Sequence, residues 1–381
     1  MCMIRKITNV AMVVLLTGLL FACGGGDGAV TPAPQIPPTV AAVTASQVVY
    51  KKDATITVTG QNLDSGITMT ALGCATITEQ TGGTATSRSY SCIPVVGTSL
   101  YVTVSAQASK ALLMNVSVPV PLPQVSFVTS LGTFVVELRP DRAKGSVDNF
   151  LQYVDSGFYS DTIFHRIIAS GGIVQGGGYA VGQTTLKATN APIVLETTGE
   201  TGLSNLQGTI AMARSSALNS ATSQFFINTI NNNAAYDSSS AGYAVFGSVI
   251  QGMNVVKALQ AVAVDSAGKP DTPVILNSVT RIASPLTVTT PLAPTGVVAT
   301  GGNHQLTLTW DTSDSSVALY TVYTSTSPSV TPANGTKHVN LFPPAVITSL
   351  TAGTTYYSVI TAVNRAGESV PSAEVSAATL P

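Results

Sequence analysis

Three short stretches of the chain carry side chains that could act together on a substrate. Arg166 lies in the sequence FHRII, Gln175 opens QGGG, and Gln224 lies in TSQFF. Together they offer one permanent cation and two amides among apolar side chains. None of these stretches places a serine or cysteine nucleophile beside a histidine or supplies a set of metal ligands. Such a site can bind a polypeptide and redistribute charge along it without a covalent step. We therefore predict an electrostatic binding site that needs neither a metal ion nor a cofactor.

The elements around these stretches are predicted to be strands with one early and one late helix. Ser146 is the predicted N-cap of the first helix, whose apolar stripe continues to Val154. A second stripe consists of Val255, Leu259 and Val262. Widely spaced strands between two such helices indicate a closed antiparallel β-barrel with helices over its ends. The strand-like runs are 132–138, 173–175, 209–213, 224–228 and 243–249.

Proline clusters divide the chain into modules. They crowd residues 32–38, 119–123 and 285–294, where they favour stiff, extended connections. Apolar residues alternate with threonine around Ile56 and again around Val102, which predicts strands of a small sandwich. We predict a mainly β, multidomain chain. Its predicted modules are an immunoglobulin-like β-sandwich at 40–120, the barrel at 124–284 and a second β-sandwich at 291–381.

The third module resembles a fibronectin type III domain. Leu306, Leu308 and Trp310 alternate, and the later sequence LTAGTTY ends at Tyr356. The resemblance implies that Trp310 is the core tryptophan and Tyr356 the tyrosine-corner residue. It also implies a role in binding or spacing, since a fold alone fixes no function. The first module carries no chemistry that we can assign, and we interpret it as a spacer or adhesion module.

The first 22 residues have the composition of an export signal, so we assign 1–22 to a signal peptide. Two basic residues precede an apolar run that is short for a membrane span. The run ends in LFAC, which resembles a bacterial lipobox, and Cys23 would then carry lipid at the start of a Gly/Pro-rich tether at 23–39. An ordinary signal peptide or an uncleaved anchor is the alternative. No aspartate directly follows Cys23, which in lipoproteins favours the outer membrane, with the protein facing the periplasm or the cell surface.

Two cysteines remain after the signal and the lipidation site are set aside. Cys74 and Cys92 are exported with the chain, and thiols in an oxidising compartment tend to pair. We predict a disulfide between them. A free-thiol or metal role is disfavoured because no histidine lies near either residue in the sequence.

Charge is sparse and balanced along the chain. Only 9% of residues are charged, against about 25% in ordinary domains, and the net charge is −1. The sequence has no basic stripe, so we predict no nucleic-acid partner. The glycines at 176–178 are not followed by Gly-Lys-Ser/Thr, so we predict no nucleotide-binding loop.

The middle module resembles the cyclophilins, and among them the periplasmic bacterial forms. The motifs FHRII, VQGGG, GTIAMA, SQFFIN and YAVFG occur in the family's order, with NF and SGFY upstream. The match covers essentially all of 124–284, and several motifs in order are far more specific than any one of them. The resemblance implies a peptidyl-prolyl cis-trans isomerase that rotates X-Pro bonds and assists the folding of exported proteins. Its partners would be proline-containing polypeptides, and it would need no cofactor.

The resemblance also assigns site residues. Arg166 is implied to be the catalytic cation, with an ordinary surface ion pair as the alternative. Gln175 and Gln224 are implied to hold the substrate backbone. His165 is interpreted as a structural histidine rather than an acid or base. The implied substrate-binding residues are Ile173, Gln175, Met212, Ala213, Gln224, Phe226, Tyr236 and Tyr243.

Within this set, Ile173, Ala213 and Phe226 are implied to line the proline pocket. Side chains alternate along a strand, so Ile173 shares a face with Gln175, and Phe226 shares a face with Gln224. Core packing is the alternative for Phe226, whereas Phe225 is expected to face the core.

Two departures from the family pattern concern the pocket floor. The segment from His165 to Gln175 is one residue longer than usual, and Gly172 stands where the family usually has a phenylalanine. Ala235 stands where an aromatic is usual. We therefore expect an isomerase that is weaker or differently selective. The competing interpretation is a non-catalytic proline-peptide-binding or adhesion lipoprotein.

Overall fold

The computed structural model describes residues 36–238, 241–312 and 314–381. The predicted signal peptide, the lipidation site at Cys23 and most of the tether lie outside these residues. In the described parts the chain forms 23 strands and four α-helices, which confirms the mainly β fold class. None of these helices is long and apolar enough to cross a membrane.

The first module is a sandwich of two antiparallel sheets. Its strands are β1 (Thr39–Ala45), β2 (Ala54–Gln61), β3 (Ile67–Leu72), β4 (Cys74–Glu79), β5 (Ser87–Pro94), β6 (Ser99–Ala106) and β7 (Leu112–Pro119). The four-stranded sheet has the order β1-β2-β5-β4 and the three-stranded sheet the order β3-β6-β7. Alternate residues of β2 are buried, as the period of two predicts. The disulfide between Cys74 and Cys92 is confirmed and joins β4 to β5.

The middle module is a closed barrel of eight antiparallel strands. They are β8 (Gln124–Thr129), β9 (Gly132–Leu138), β10 (Thr162–Ile168), β11 (Ile173–Ala180), β12 (Thr209–Met212), β13 (Phe225–Asn228), β14 (Val245–Gln251) and β15 (Val274–Arg281). They close in the order β10-β11-β13-β12-β14-β9-β8-β15, so no edge stays unpaired. The predicted closed barrel is confirmed. Its core includes Phe127, whose ring lies 4.6 Å from Phe134 and 5.5 Å from Phe225.

The four helices are α1 (Lys144–Asp155), α2 (Thr198–Thr201), α3 (Asn233–Tyr236) and α4 (Met253–Gln260). The predicted N-cap of α1 is wrong, because the helix begins before Ser146, and Ser146 itself is buried. The cap comes instead from Glu196, whose carboxylate accepts hydrogen bonds from the backbone N–H of Gly145 at 2.8 Å and of Ser146 at 2.7 Å. This satisfies two donors that a helix start leaves without partners.

The late helix is shifted relative to the predicted stripe. In α4 the buried residues are Met253, Val256 and Leu259, while Val262 lies beyond the end of the helix. The predicted stripe had the right period: Leu259 is fully buried, and Val255 and Val262 are partly buried and pack against the same core.

The third module is a second sandwich. Its strands are β16 (Val298–Gly302), β17 (Gln305–Thr309), β18 (Leu319–Ser325), β19 (Thr336–Leu341), β20 (Ala345–Ile347), β21 (Thr355–Asn364), β22 (Gly367–Glu368) and β23 (Val375–Ala378). Trp310 lies in its core, with its ring 5.2 Å from Tyr320. The Tyr356 hydroxyl accepts a hydrogen bond from the backbone N–H of Thr351 at 3.1 Å, which is the contact of a tyrosine corner.

The first module docks on α1 of the barrel. The Tyr50 hydroxyl donates to Asp148 at 2.7 Å, and the side chain of Tyr50 is fully buried. Arg281 holds Asp155 through two hydrogen bonds of 2.8 and 2.9 Å and also donates to the Tyr50 carbonyl at 2.8 Å. Lys52 makes a second ion pair with Asp155 at 3.1 Å. Polar and apolar contacts thus fix the sandwich on the helix.

Candidate active site

The predicted cation and both amides form one hydrogen-bonded row on the outside of the barrel. Arg166 on β10 lies opposite Gln175 on β11, and Gln224 directly precedes β13, which pairs with β11. A guanidinium N–H of Arg166 donates to the side-chain oxygen of Gln175 at 3.3 Å. The Gln175 amide then donates to the side-chain oxygen of Gln224 at 3.0 Å. Arg166 is exposed, while both glutamines are half-buried. The row therefore presents a fixed cation to solvent, and the amides restrict its position.

An apolar cluster lies near this row, and we call it the pocket cluster. Phe226 lies at its centre, with its ring 5.3 Å from Tyr243 and 5.9 Å from Tyr236, both edge-to-face. The two tyrosine rings are 5.1 Å apart. Phe225 points the other way into the barrel core, as predicted. The pocket cluster comprises Ile168, Ile173, Leu203, Ala211, Ala213, Phe226, Tyr236, Tyr243 and Val245.

Met212 does not belong to the pocket cluster. It is 1% exposed and packs in the barrel core, whereas its neighbour Ala211 and the next residue Ala213 lie in the pocket cluster. The reason is the alternation of side chains along β12. The structure therefore places Ala211, which the sequence reasoning missed, where Met212 was expected.

His165 is packed as a structural residue. Its ring contacts Tyr179 edge-to-face at 4.8 Å, and its buried Nδ1 has no hydrogen-bond partner among the described residues. Burial, together with the positive charge of Arg166, lowers the pKa of His165 to about 4. The imidazole is therefore neutral near pH 7.

Gly172, which the resemblance places at the base of the proline pocket, directly precedes Ile173 of the pocket cluster. Its φ is +61°, a conformation that side chains rarely adopt, and a Cβ added there would lie 2.2 Å from Cγ1 of Ile230. The Gly172 carbonyl accepts hydrogen bonds from the backbone N–H of Thr229 at 2.8 Å and from the side chain of Asn232 at 3.3 Å. Ile230 therefore occupies the space beside Gly172, a contact between distant parts of the sequence that no local pattern indicates.

Arg214 is a second cation beside the pocket cluster that the sequence reasoning missed. Its guanidinium carbon lies 4.9 Å from the centre of the Tyr243 ring. Its side chain also donates to the carbonyls of Gly242 at 3.1 Å and of Ser215 at 2.9 Å, and to that of Ala241. In the sequence, only its position directly after Ala213 could have indicated that Arg214 lies beside the site.

Ala235, which stands where the family usually has an aromatic residue, is exposed.

Comparison with known proteins assigns the barrel module to a family. The family described as cyclophilin type peptidyl-prolyl cis-trans isomerase matches residues 124–281. Peptidyl-prolyl cis-trans isomerase A of Dickeya dadantii is 45% identical over 160 residues, which cover 40% of this chain and 82% of that protein. The chain belongs to the cyclophilin family. Peptidyl-prolyl cis-trans isomerase B of Escherichia coli is 43% identical over 164 residues, which cover 41% of this chain and 98% of that protein.

The cyclophilin segment is accompanied by a second assigned domain. A fibronectin type III domain matches residues 292–378, so the predicted identity of the third module is confirmed. A solved cyclophilin-type isomerase of Cryptosporidium parvum is 26% identical, with a TM-score of 0.36. The match covers 43% of this chain and 99% of that one. The protein is thus a cyclophilin-type peptidyl-prolyl cis-trans isomerase with a fibronectin type III domain after the barrel.

Proposed function

We propose that Arg166 is the catalytic residue and that it acts on the twisted amide of an X-Pro bond. Rotation about a peptide bond faces a barrier of ~18–20 kcal/mol, because resonance gives the C–N bond double-bond character. Twisting the amide localises a lone pair on the proline nitrogen. A guanidinium donor aimed at that nitrogen stabilises the twisted state more than either planar state. The observation that carries the proposal is the exposed Arg166 held in the row with Gln175 and Gln224.

We further propose that the substrate lies across the row with its proline ring in the pocket cluster. Ile173 and Phe226 are only 5% and 3% exposed and form the buried base of the cluster, while the partly buried Ala213, Tyr236 and Tyr243 supply its accessible apolar surface. The amides of Gln175 and Gln224 can hydrogen-bond to the substrate backbone on the side of the cation. Proline-containing polypeptides are the partners that this combination of an apolar wall and backbone-binding amides fits.

The decisive experiment compares the wild type with Arg166→Ala in a protease-coupled assay on a proline tetrapeptide. Removing one charged donor to the transition state costs about 10²-fold or more in kcat in comparable sites. Arg166→Lys keeps the charge but loses the forked geometry, so we expect only partial recovery. Arg142→Ala, which removes an exposed cation 3.8 Å from Asp141, is the matched control and should keep wild-type rates.

The same experiment tests the alternative of a non-catalytic proline-peptide-binding or adhesion protein. In that case wild type and Arg166→Ala would rotate the peptide at the same rate, equal to the uncatalysed one. Isothermal titration with the same peptide would still detect binding. Equal rates would therefore remove the isomerase mechanism and leave the binding function.

We also propose that the protein is exported and anchored as a lipoprotein, facing the periplasm or the cell surface, with the outer membrane as its location. The support is the signal-like segment that ends at Cys23 and the glycine-rich sequence after it. Cell fractionation of the wild type and Cys23→Ser tests it. The wild type should sediment with the membranes, and the variant should not. Sedimentation of both would contradict lipidation at Cys23.

A further inference from the structure

A short connection joins the two elements that carry Phe226 and Tyr236 of the pocket cluster, and we call its residues 229–232 the pocket segment. It follows β13, which carries Phe226, and leads directly into α3, which carries Tyr236. Its first residue, Thr229, donates its backbone N–H to the Gly172 carbonyl at 2.8 Å. The position of the pocket segment therefore sets both the base of the pocket and the spacing of its two aromatic walls.

Helix α4 holds this region through two hydrogen bonds. The ammonium group of Lys257 donates to the Thr229 carbonyl at 2.6 Å, and Gln260 donates to the Ala169 carbonyl at 3.0 Å. Both acceptors belong to the irregular connections that border Gly172. The Lys257 side chain is half-buried, and burial lowers its pKa. A cation in such a place needs stabilising neighbours.

The fibronectin domain supplies that neighbour. The Phe342 ring lies 5.1 Å from the Lys257 ammonium, within the range of a cation–π contact. Phe342 also packs against the barrel core and the fibronectin core, and its ring lies 5.7 Å from Tyr320. A further hydrogen bond joins the barrel to the fibronectin domain, since the Gln251 side chain donates to the Ser315 hydroxyl at 2.8 Å.

We propose that Phe342 and Lys257 are positioning residues of the isomerase, so that the docked fibronectin domain sets how tightly the pocket holds proline. This rests on the proposed function of the pocket cluster. The contacts run without a gap from Phe342 to Lys257, then to the Thr229 carbonyl, then to Gly172 and Ile230. Loss of the ring leaves Lys257 free to turn toward solvent and releases the Thr229 carbonyl. The planar and twisted states of the substrate both use the pocket, so the loss weakens the binding of both.

The test is Phe342→Ala in the full chain, with kcat and KM measured on the same proline tetrapeptide. We expect KM to rise about three-fold with kcat unchanged, because binding shared by ground and transition state affects KM alone. Lys257→Met keeps the aliphatic stem but removes the donor and should give at least the same rise. The double variant should be no worse than Lys257→Met alone, since the two residues act in series.

The control is Arg365→Ala, which removes the ion pair with Glu137 at another point of the same interface. It should leave KM at the wild-type value, and an equal rise in KM would overturn the proposal in favour of general domain docking. A readout independent of catalysis is hydrogen exchange of the Thr229 amide. It should be faster in Phe342→Ala and unchanged in Arg365→Ala. Unchanged exchange in Phe342→Ala overturns the proposal whether or not Arg166 proves catalytic.

Discussion

Replacing Gly172 by alanine should destabilise the barrel far more than the same replacement at Gly182. The two glycines have similar positive φ angles, +61° and +73°, so the backbone cost is matched. A Cβ at Gly182 would meet no atom within 4 Å. At Gly172 it would lie 2.2 Å from Cγ1 and 2.8 Å from Cδ1 of Ile230. The pair therefore separates backbone strain from a steric clash.

The expected magnitudes follow from these contacts. A left-handed conformation costs a residue with a Cβ about 1–2 kcal/mol. Alanine also lowers the conformational entropy of the unfolded chain relative to glycine, which offsets about 0.4–1 kcal/mol of this cost. Gly182→Ala should thus lose about 1 kcal/mol. Ile230 is 37% exposed, but turning its side chain relieves only part of the clash, because its Cβ also lies 3.1 Å from the added atom. Overpacking adds about 1–3 kcal/mol, so Gly172→Ala should lose about 2–4 kcal/mol in total.

The assay is the urea dependence of kcat, normalised to each variant without urea, because the fibronectin domain is proposed to affect only KM and the barrel carries the site. With a slope near 2 kcal/mol per M, the midpoint should fall by about 1–2 M in Gly172→Ala and by about 0.5 M in Gly182→Ala. Ile230→Ala added to Gly172→Ala removes the two clashing atoms and should restore at least half of the loss. Equal midpoints for the two glycine variants, or no rescue by Ile230→Ala, would refute the reasoning.

Two further predictions concern the first module and its docking. Replacing Cys74 and Cys92 by alanine removes a cross-link between residues 18 positions apart and should lower the stability of the sandwich by about 3 kcal/mol. An unchanged melting temperature in calorimetry would contradict this. For Asp155, burial opposes ionisation, but hydrogen bonds from Arg281 and Lys52 outweigh it and hold its pKa below the usual value. The pKa of Asp155 is lower in the folded protein than in the unfolded chain. Its contribution to the free energy of unfolding is therefore complete above the unfolded pKa of about 4, and it is lost as the pH falls through the folded pKa. Asp155→Asn should therefore reduce stability at neutral pH and flatten the acid-induced decline, as followed by circular dichroism. A decline as steep as that of the wild type would contradict it.

Much of the fold follows from periodic patterns that the sequence displays directly. The run 132–138 is the strand β9 with the same ends, because its apolar residues are bounded by a glycine and a charged turn. The row of Arg166, Gln175 and Gln224 could be assembled because each residue lies in a motif that occurs in the family's order. The pairing of Cys74 with Cys92 needed only their number and compartment. These inferences use local sequence or simple elimination.

The remaining features depend on contacts between distant residues. The start of α1 is capped by Glu196, 50 positions from Ser146, so the nearby serine was a misleading signal. Met212 was assigned to the site from its motif, although alternation along β12 turns it into the core. Ile230 fills the space beside Gly172, and no pattern connects the two positions before the chain folds.

The fibronectin core gives the protein an optical property of its own. Trp310 is the only tryptophan of the chain. Its ring contacts Tyr320, which in turn contacts Phe342 at the barrel surface. Water that enters this face when the two domains separate would change the surroundings of the indole and shift its emission to longer wavelength. Trp310 is therefore a natural fluorophore whose emission should report the separation of the barrel and the fibronectin domain without any label.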